Sequence, residues 1–174
     1  HISEAIEGVG GILNGGTDKE LTVYWCKTAQ SHFPLALDVL TDMLFHSRFD
    51  PEEIERERQV IIEEINMSLD YPPQRVDMLI DELLWPGHPL GRDIAGSKES
   101  VAAITRDKML DYLQTQYLPG KTVVSIAGNI QHQEIVEAIT QAFSQWTNSH
   151  EPPTYLPCQT KPFQRLRVEF KDTE

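Results

Sequence analysis

The sequence predicts an α+β fold in which helices cover one side of a largely antiparallel sheet. Three observations carry that expectation: two β-type runs close together near the start, a series of helical-period segments through the middle, and a further β-type run after them. In chain order, residues 2–8 have a helical pattern that Gly8, Gly10 and Gly11 should end. ILNGGT (12–17) and ELTVYWCKTA (20–29) then read as a hairpin turning across Thr17-Asp18-Lys19. Residues 31–47 place Leu35, Leu37, Val39, Leu40, Met43 and Leu44 at helical spacing, with Ser31 as a cap and Pro34 in the first turn. Asp50, followed by Pro51 and by Glu53, is an N-terminal signal for a helix running to about Leu69.

A third helix is expected at 73–85, and WPGHPLGRDIAG (85–96) reads as a loop because it is rich in Pro and Gly. Ser97 can cap a short helix to Ile104, though its spacing to Glu99 is not that of a capping box. Thr105 can cap another helix, 106–117, which Pro119-Gly120 breaks. KTVVSIAGNI (121–130) reads as a strand and 132–146 as a helix ending at Trp146. The domain boundaries expected are 1–146 for one α+β domain, 147–160 for a Pro-containing linker, and 161–174 for the first strand of a second domain, RLRVEF (165–170) alternating as a strand does.

Composition limits the function classes. The chain has 174 residues, 27 acidic against 15 basic, for a net charge of −12. That sign excludes the basic footprint of a nucleic-acid binder. No apolar run is long enough to span a bilayer, so no membrane partner is expected. Two cysteines, Cys26 and Cys158, make neither a disulfide framework nor a C-x-x-C pair. The first residues read as the interior of a helix, and the last follow a strand-like run, so a piece of a longer protein is expected.

The segment ERERQVIIEEINM (55–67) poses the main question of chemistry. At about 100° per residue a helix aligns Ile54, Ile61 and Ile65 on one stripe with Val60 at its edge. Glu57 and Glu64, seven residues apart, share a face that falls between Val60 and Ile61, inside that apolar arc. Two carboxylates on a buried side need a partner: Arg56 or Arg58, a metal, or water at the edge of a core.

Taken together, IEGVGGILNGGTDKELTVYW (6–25), FDPEEIERERQVIIEEI (49–65), HPLGRDIAGSKESV (88–101) and TVVSIAGNI (122–130) resemble the pitrilysin/insulinase family of zinc peptidases, in its mitochondrial-processing-peptidase-like bacterial branch. The resemblance covers essentially the whole chain. It implies a zinc metalloendopeptidase acting on peptides or unfolded polypeptides, built from two similar halves, of which this chain is most of the first. In that family an H-x-x-E-H motif gives two histidine ligands and a general base, and a later glutamate completes the zinc site. Carried onto this sequence, the later glutamate is Glu64, and Glu57 is a supporting acid behind it. The resemblance also makes Asn14, Gly15, Gly16 and Thr17 a strand edge to which a peptide substrate adds.

The sequence departs from the family at one point. None of its histidines (His1, His32, His46, His88, His132, His150) belongs to an H-x-x-E-H motif, whose place would be about a dozen residues before His1. The implied zinc therefore belongs to the intact parent, and these residues alone are expected neither to hold it nor to hydrolyse peptides. The implied partners are a peptide substrate and the second half of the same chain, with a homodimer compatible; a cytoplasmic location is expected. The alternative in a different class is a non-catalytic family subunit with a structural or peptide-binding role.

Overall fold

A computed structural model describes residues 2–147, 154–155, 157 and 166–170. It divides into two units: residues 1–49 with 109–153, and 50–108 with 154–174.

The first unit begins with α1 (Ile2–Glu7). Gly10 ends it, taking the left-handed conformation (φ 75°) and donating to the Glu7 carbonyl, while Gly11 donates to that of Ile6. The hairpin follows as β1 (Ile12–Thr17) and β2 (Thr22–Lys27), antiparallel, with Leu13 opposite Cys26, Gly15 opposite Tyr24 and Thr17 opposite Thr22. Asp18 donates its amide to the Leu21 carbonyl at 2.7 Å and closes the turn. Then comes α2 (Phe33–Phe45), entered through a 3-10 turn at Gln30–His32. Pro34 lies in its first turn as expected, but His32 occupies the cap position and no side chain caps the helix. α6 (Arg106–Gln116) continues from the second unit, and α7 (His132–Ala142) packs on α2, with Phe45 edge-on to Phe143 and Trp146.

Ile6 is the anchor of this unit, with 0% of its surface exposed. A Cβ at buried Gly11 would lie 2.7 Å from the Cγ2 atoms of both Ile6 and Thr28, so only glycine fits beneath them. Gly11→Ala is therefore expected to destabilise the fold by about 1–3 kcal/mol. A urea titration reads this as a lower midpoint, and an unchanged midpoint would contradict the close packing.

In the second unit Asp50 caps α3 (Pro51–Asp70) as the sequence predicts, accepting from the Glu52 amide at 3.0 Å. The preceding residue, Phe49, adopts a left-handed φ of 47°, a costly conformation for a residue with a Cβ. α4 (Pro72–Leu84) packs on α3. His88 caps a single 3-10 turn inside the loop that follows. α5 (Lys98–Ala102) starts at Ser97 with a full capping box, contrary to the sequence reading. Ser100 supplies the returning hydroxyl in place of a Glu or Gln, its Oγ accepting from the Ser97 amide at 2.8 Å. Residues 166–170 are tied to α4 by charge: Arg75 donates through Nε and Nη2 to Glu169 at 2.9 and 2.7 Å, and Arg167 pairs with Glu82.

The fold is α+β, but its sheet among the described residues has two strands only. Residues 122–127 form no strand, and Val123 is 89% exposed. Residues 166–170 form none either, while 165 lies outside the described residues. A run of β-type residues becomes a strand only when a neighbour takes its backbone hydrogen bonds, and neither run has one among the described residues. The last helix also ends early, at Ala142, because Phe143 and Trp146 turn back onto Phe45. Most of the expected linker, 147–160, lies outside the described residues, as do His1, His150 and Cys158.

Candidate functional site

α3 is amphipathic as its spacing demands, but its buried stripe is displaced from the expected one. Ile65 is buried, and Ile54, Arg58, Ile61, Ile62 and Leu69 are half-buried beside it. Glu57 and Glu64 are exposed, together with Val60 (46%) and Met67 (67%). The expectation that both acids lie inside the buried arc is thus wrong for this structure. The reason is Arg58, which turns inward instead. Its guanidinium donates to the carbonyls of Val101 and Ile104, the latter at 2.8 Å, and so satisfies the C-terminal end of α5. Arg58 thus lies on the half-buried side of the helix, and Glu57 and Glu64 lie on the exposed side.

Neither arginine serves those two acids. Arg56 binds Glu53 at 2.6 and 2.7 Å, and Arg58 binds Glu55 at 3.0 Å. The Arg58 hydrogen bond holds the Glu55 carboxyl below the usual range. Among the described residues Glu57 and Glu64 make no ion pair. A lone carboxylate oxygen suits one position of a zinc shell, but zinc needs three protein donors. No group of three His, Cys, Asp or Glu side chains that could hold a metal occurs among the described residues. These residues do not by themselves make a zinc site.

The second group of predicted residues, in the first unit, is brought together by the hairpin. β1 has β2 as its one neighbour among the described residues, which leaves its other backbone edge open. Asn14 folds back on its own strand, its Oδ1 accepting from the Gly15 amide at 2.8 Å. Alternation divides the hairpin: Asn14, Gly16, Val23 and Trp25 share one face, and Gly15, Thr17, Thr22 and Tyr24 share the other. The first face, with Thr17, Asp18 and Leu21 at the turn, lines an open concavity of about 310 Å³. Sequence reasoning singled out Asn14, Gly15, Gly16 and Thr17 and did not name Val23 and Trp25, which line the same concavity. The register supplies the missing signal, since both stand directly opposite Gly16 and Asn14. Burial pushes the Cys26 thiol up, which disfavours its thiolate.

Residues 1–98 match the family described as Insulinase (Peptidase family M16), and residues 103–174 match the Peptidase M16 inactive domain. The chain is 37% identical over 150 residues to an uncharacterized zinc protease, YmxG, of Bacillus subtilis, covering 86% of this chain and 36% of that protein. It is 36% identical over 156 residues to a probable mitochondrial-processing peptidase subunit beta of Arabidopsis thaliana, covering 88% of this chain and 28% of that one. Among solved structures it resembles a putative M16-like peptidase from Alicyclobacillus acidocaldarius at 28% identity, with a TM-score of 0.76 over 88% of this chain and 36% of that one. The fold is also that of pitrilysin, at 21% identity and a TM-score of 0.77 over 91% of this chain and 18% of that one. The chain thus spans about a third of the length of these relatives, and less of pitrilysin. With the insulinase match extending over more than half of its residues, this chain belongs to the insulinase family of peptidases, family M16.

Proposed function

We propose that the complete polypeptide is a zinc-dependent endopeptidase of peptides or unfolded polypeptides, in which Glu64 is the third metal ligand and Glu57 its supporting acid. The observation that carries this reading is the exposed acidic face of α3, where neither carboxylate has an ion-pair partner among the described residues. On the same helix Glu53 and Glu55 are each paired with an arginine, whereas Glu57 and Glu64 are left without a cation and are suited to a ligand from outside the described residues. Zinc, when bound, would polarise the scissile carbonyl and activate water. The H-x-x-E-H motif belongs upstream of residue 1 in this reading, and the second half of the chain follows residue 161, after a linker at 147–160. The present 174 residues alone are therefore inactive and bind no zinc tightly. Asn14, Gly15, Gly16 and Thr17 offer the open edge to which the substrate strand adds. Cytoplasmic location and pairing into a homodimer belong to the same proposal.

The competing reading is a non-catalytic subunit, and the match of residues 103–174 to an inactive domain favours it. The two separate in one experiment. The complete polypeptide, incubated with a quenched-fluorescent unstructured peptide, is expected to cleave it, to stop on removal of zinc by a chelator, and to resume when zinc is restored. Binding without cleavage under all three conditions would establish the non-catalytic subunit instead.

A further inference from the structure

The hairpin is held from behind by a residue far away in sequence. Tyr117 follows α6, and its neighbour Leu118, only 3% exposed, anchors the chain there. The Tyr117 hydroxyl meets that of Tyr24 at 2.9 Å. Tyr24 stands on β2 directly opposite Gly15 across the ladder, on the face turned away from Val23 and Trp25. The contact therefore lies behind the face that those two side chains present. Tyr112, edge-on to the Tyr117 ring with centroids 6.2 Å apart, limits how that ring can turn.

Gly15 makes the hold matter. A Cβ there would lie 3.4 Å from the Tyr24 ring and 3.3 Å from the Val23 carbonyl, so the Tyr24 ring stands directly against the β1 backbone. A two-stranded hairpin is marginal by itself and free to twist or slip. A glycine pair at Gly15-Gly16 adds backbone freedom at the positions where a peptide would have to find a straight edge.

We propose that Tyr117 is a positioning residue: through its hydroxyl bond to Tyr24 it fixes the β1–β2 hairpin, and thereby presents the β1 edge in the extended form that a peptide strand can join. The peptide-binding half of this statement rests on the proposed function, whereas the latch itself does not. Burial, and then the bond to Tyr24, push the Tyr117 phenol up to about 12. The latch consequently stays protonated across the whole range in which a peptidase works.

The test uses the complete polypeptide and two readouts. Tyr117→Phe removes one oxygen and keeps the ring, so the fold survives. Amide hydrogen exchange in 12–17 and 22–27 is expected to quicken about three- to tenfold, the worth of one hydrogen bond. The affinity for a fluorescein-labelled unstructured peptide should fall by a similar factor. Tyr24→Phe should act in the same direction, and the double variant should be no worse than the stronger single one, since both remove one shared bond. Unchanged exchange in Tyr117→Phe overturns the latch. Faster exchange with undiminished peptide affinity overturns its positioning role. If the unaltered polypeptide binds no peptide, the proposed function fails, and the exchange data still decide the latch.

Discussion

Glu64→Gln in the complete polypeptide is expected to lower peptide hydrolysis by more than about 100-fold and to lower its zinc content, while the melting temperature of the zinc-free protein stays where it was. The magnitude follows from comparison with residues that touch a metal only through another side chain, whose loss costs about 10–100-fold. A direct ligand should exceed that range, and Glu57→Gln, as the supporting acid, should fall inside it. The unchanged stability follows from the position of Glu64. It is exposed, and it makes no ion pair among the described residues, so an isosteric amide should move stability by no more than about 0.5 kcal/mol. That combination separates a ligand from a structural acid. An acid retained for a salt bridge would lower the melting temperature and leave zinc alone. Full zinc content and full activity in Glu64→Gln would show that the metal is held by other residues.

The two candidate sites differ in how far the sequence reveals them. The β1 residues could be read because a hairpin is a local object. Thr17-Asp18-Lys19 marks the turn, and the alternation of the flanking runs fixes which residues stand opposite. Tyr117 could not be read that way, since it lies 93 residues from Tyr24 and nothing in its local pattern points to a strand. The α3 acids lie between these cases. Periodicity correctly places Ile54, Ile61 and Ile65 together and puts Glu57 beside Glu64. It misjudges which side of that stripe is buried, because a hydrophobic count treats Arg58 as a surface residue. Arg58 goes inward to donate to two backbone carbonyls at the end of α5, partners visible only once α5 is packed on α3. The failed strands have a similar origin. Val123 and Val124 have the composition of a strand, but composition supplies no neighbour for the ladder.

Ile65→Ala should have the reverse effect to Glu64→Gln, although the two residues are adjacent. Ile65 is 4% exposed, the most buried side chain of α3, on the face that packs against α4 and α5. Removing its outer carbons loses their transfer free energy and leaves a void that the clamped helix cannot close. Arg58 fixes α3 to the end of α5, which restrains the collapse that would otherwise soften the loss. The expected cost is about 2–5 kcal/mol, a large part of the roughly 5–15 kcal/mol that holds a typical domain together. A urea titration should show a markedly lower midpoint, with Ile65→Val losing only about 0.5–1.5 kcal/mol. Zinc content and activity per folded molecule should remain those of the unaltered protein at low temperature, because the exposed Glu64 carboxylate leaves the helix about 100° round from buried Ile65. A loss of zinc from Ile65→Ala that stays folded would mean that packing behind α3, and not the acidic face alone, sets the metal position. A midpoint lowered by less than the Ile65→Val change would mean that α3 shifts to fill the void and that the Arg58 clamp does not hold it.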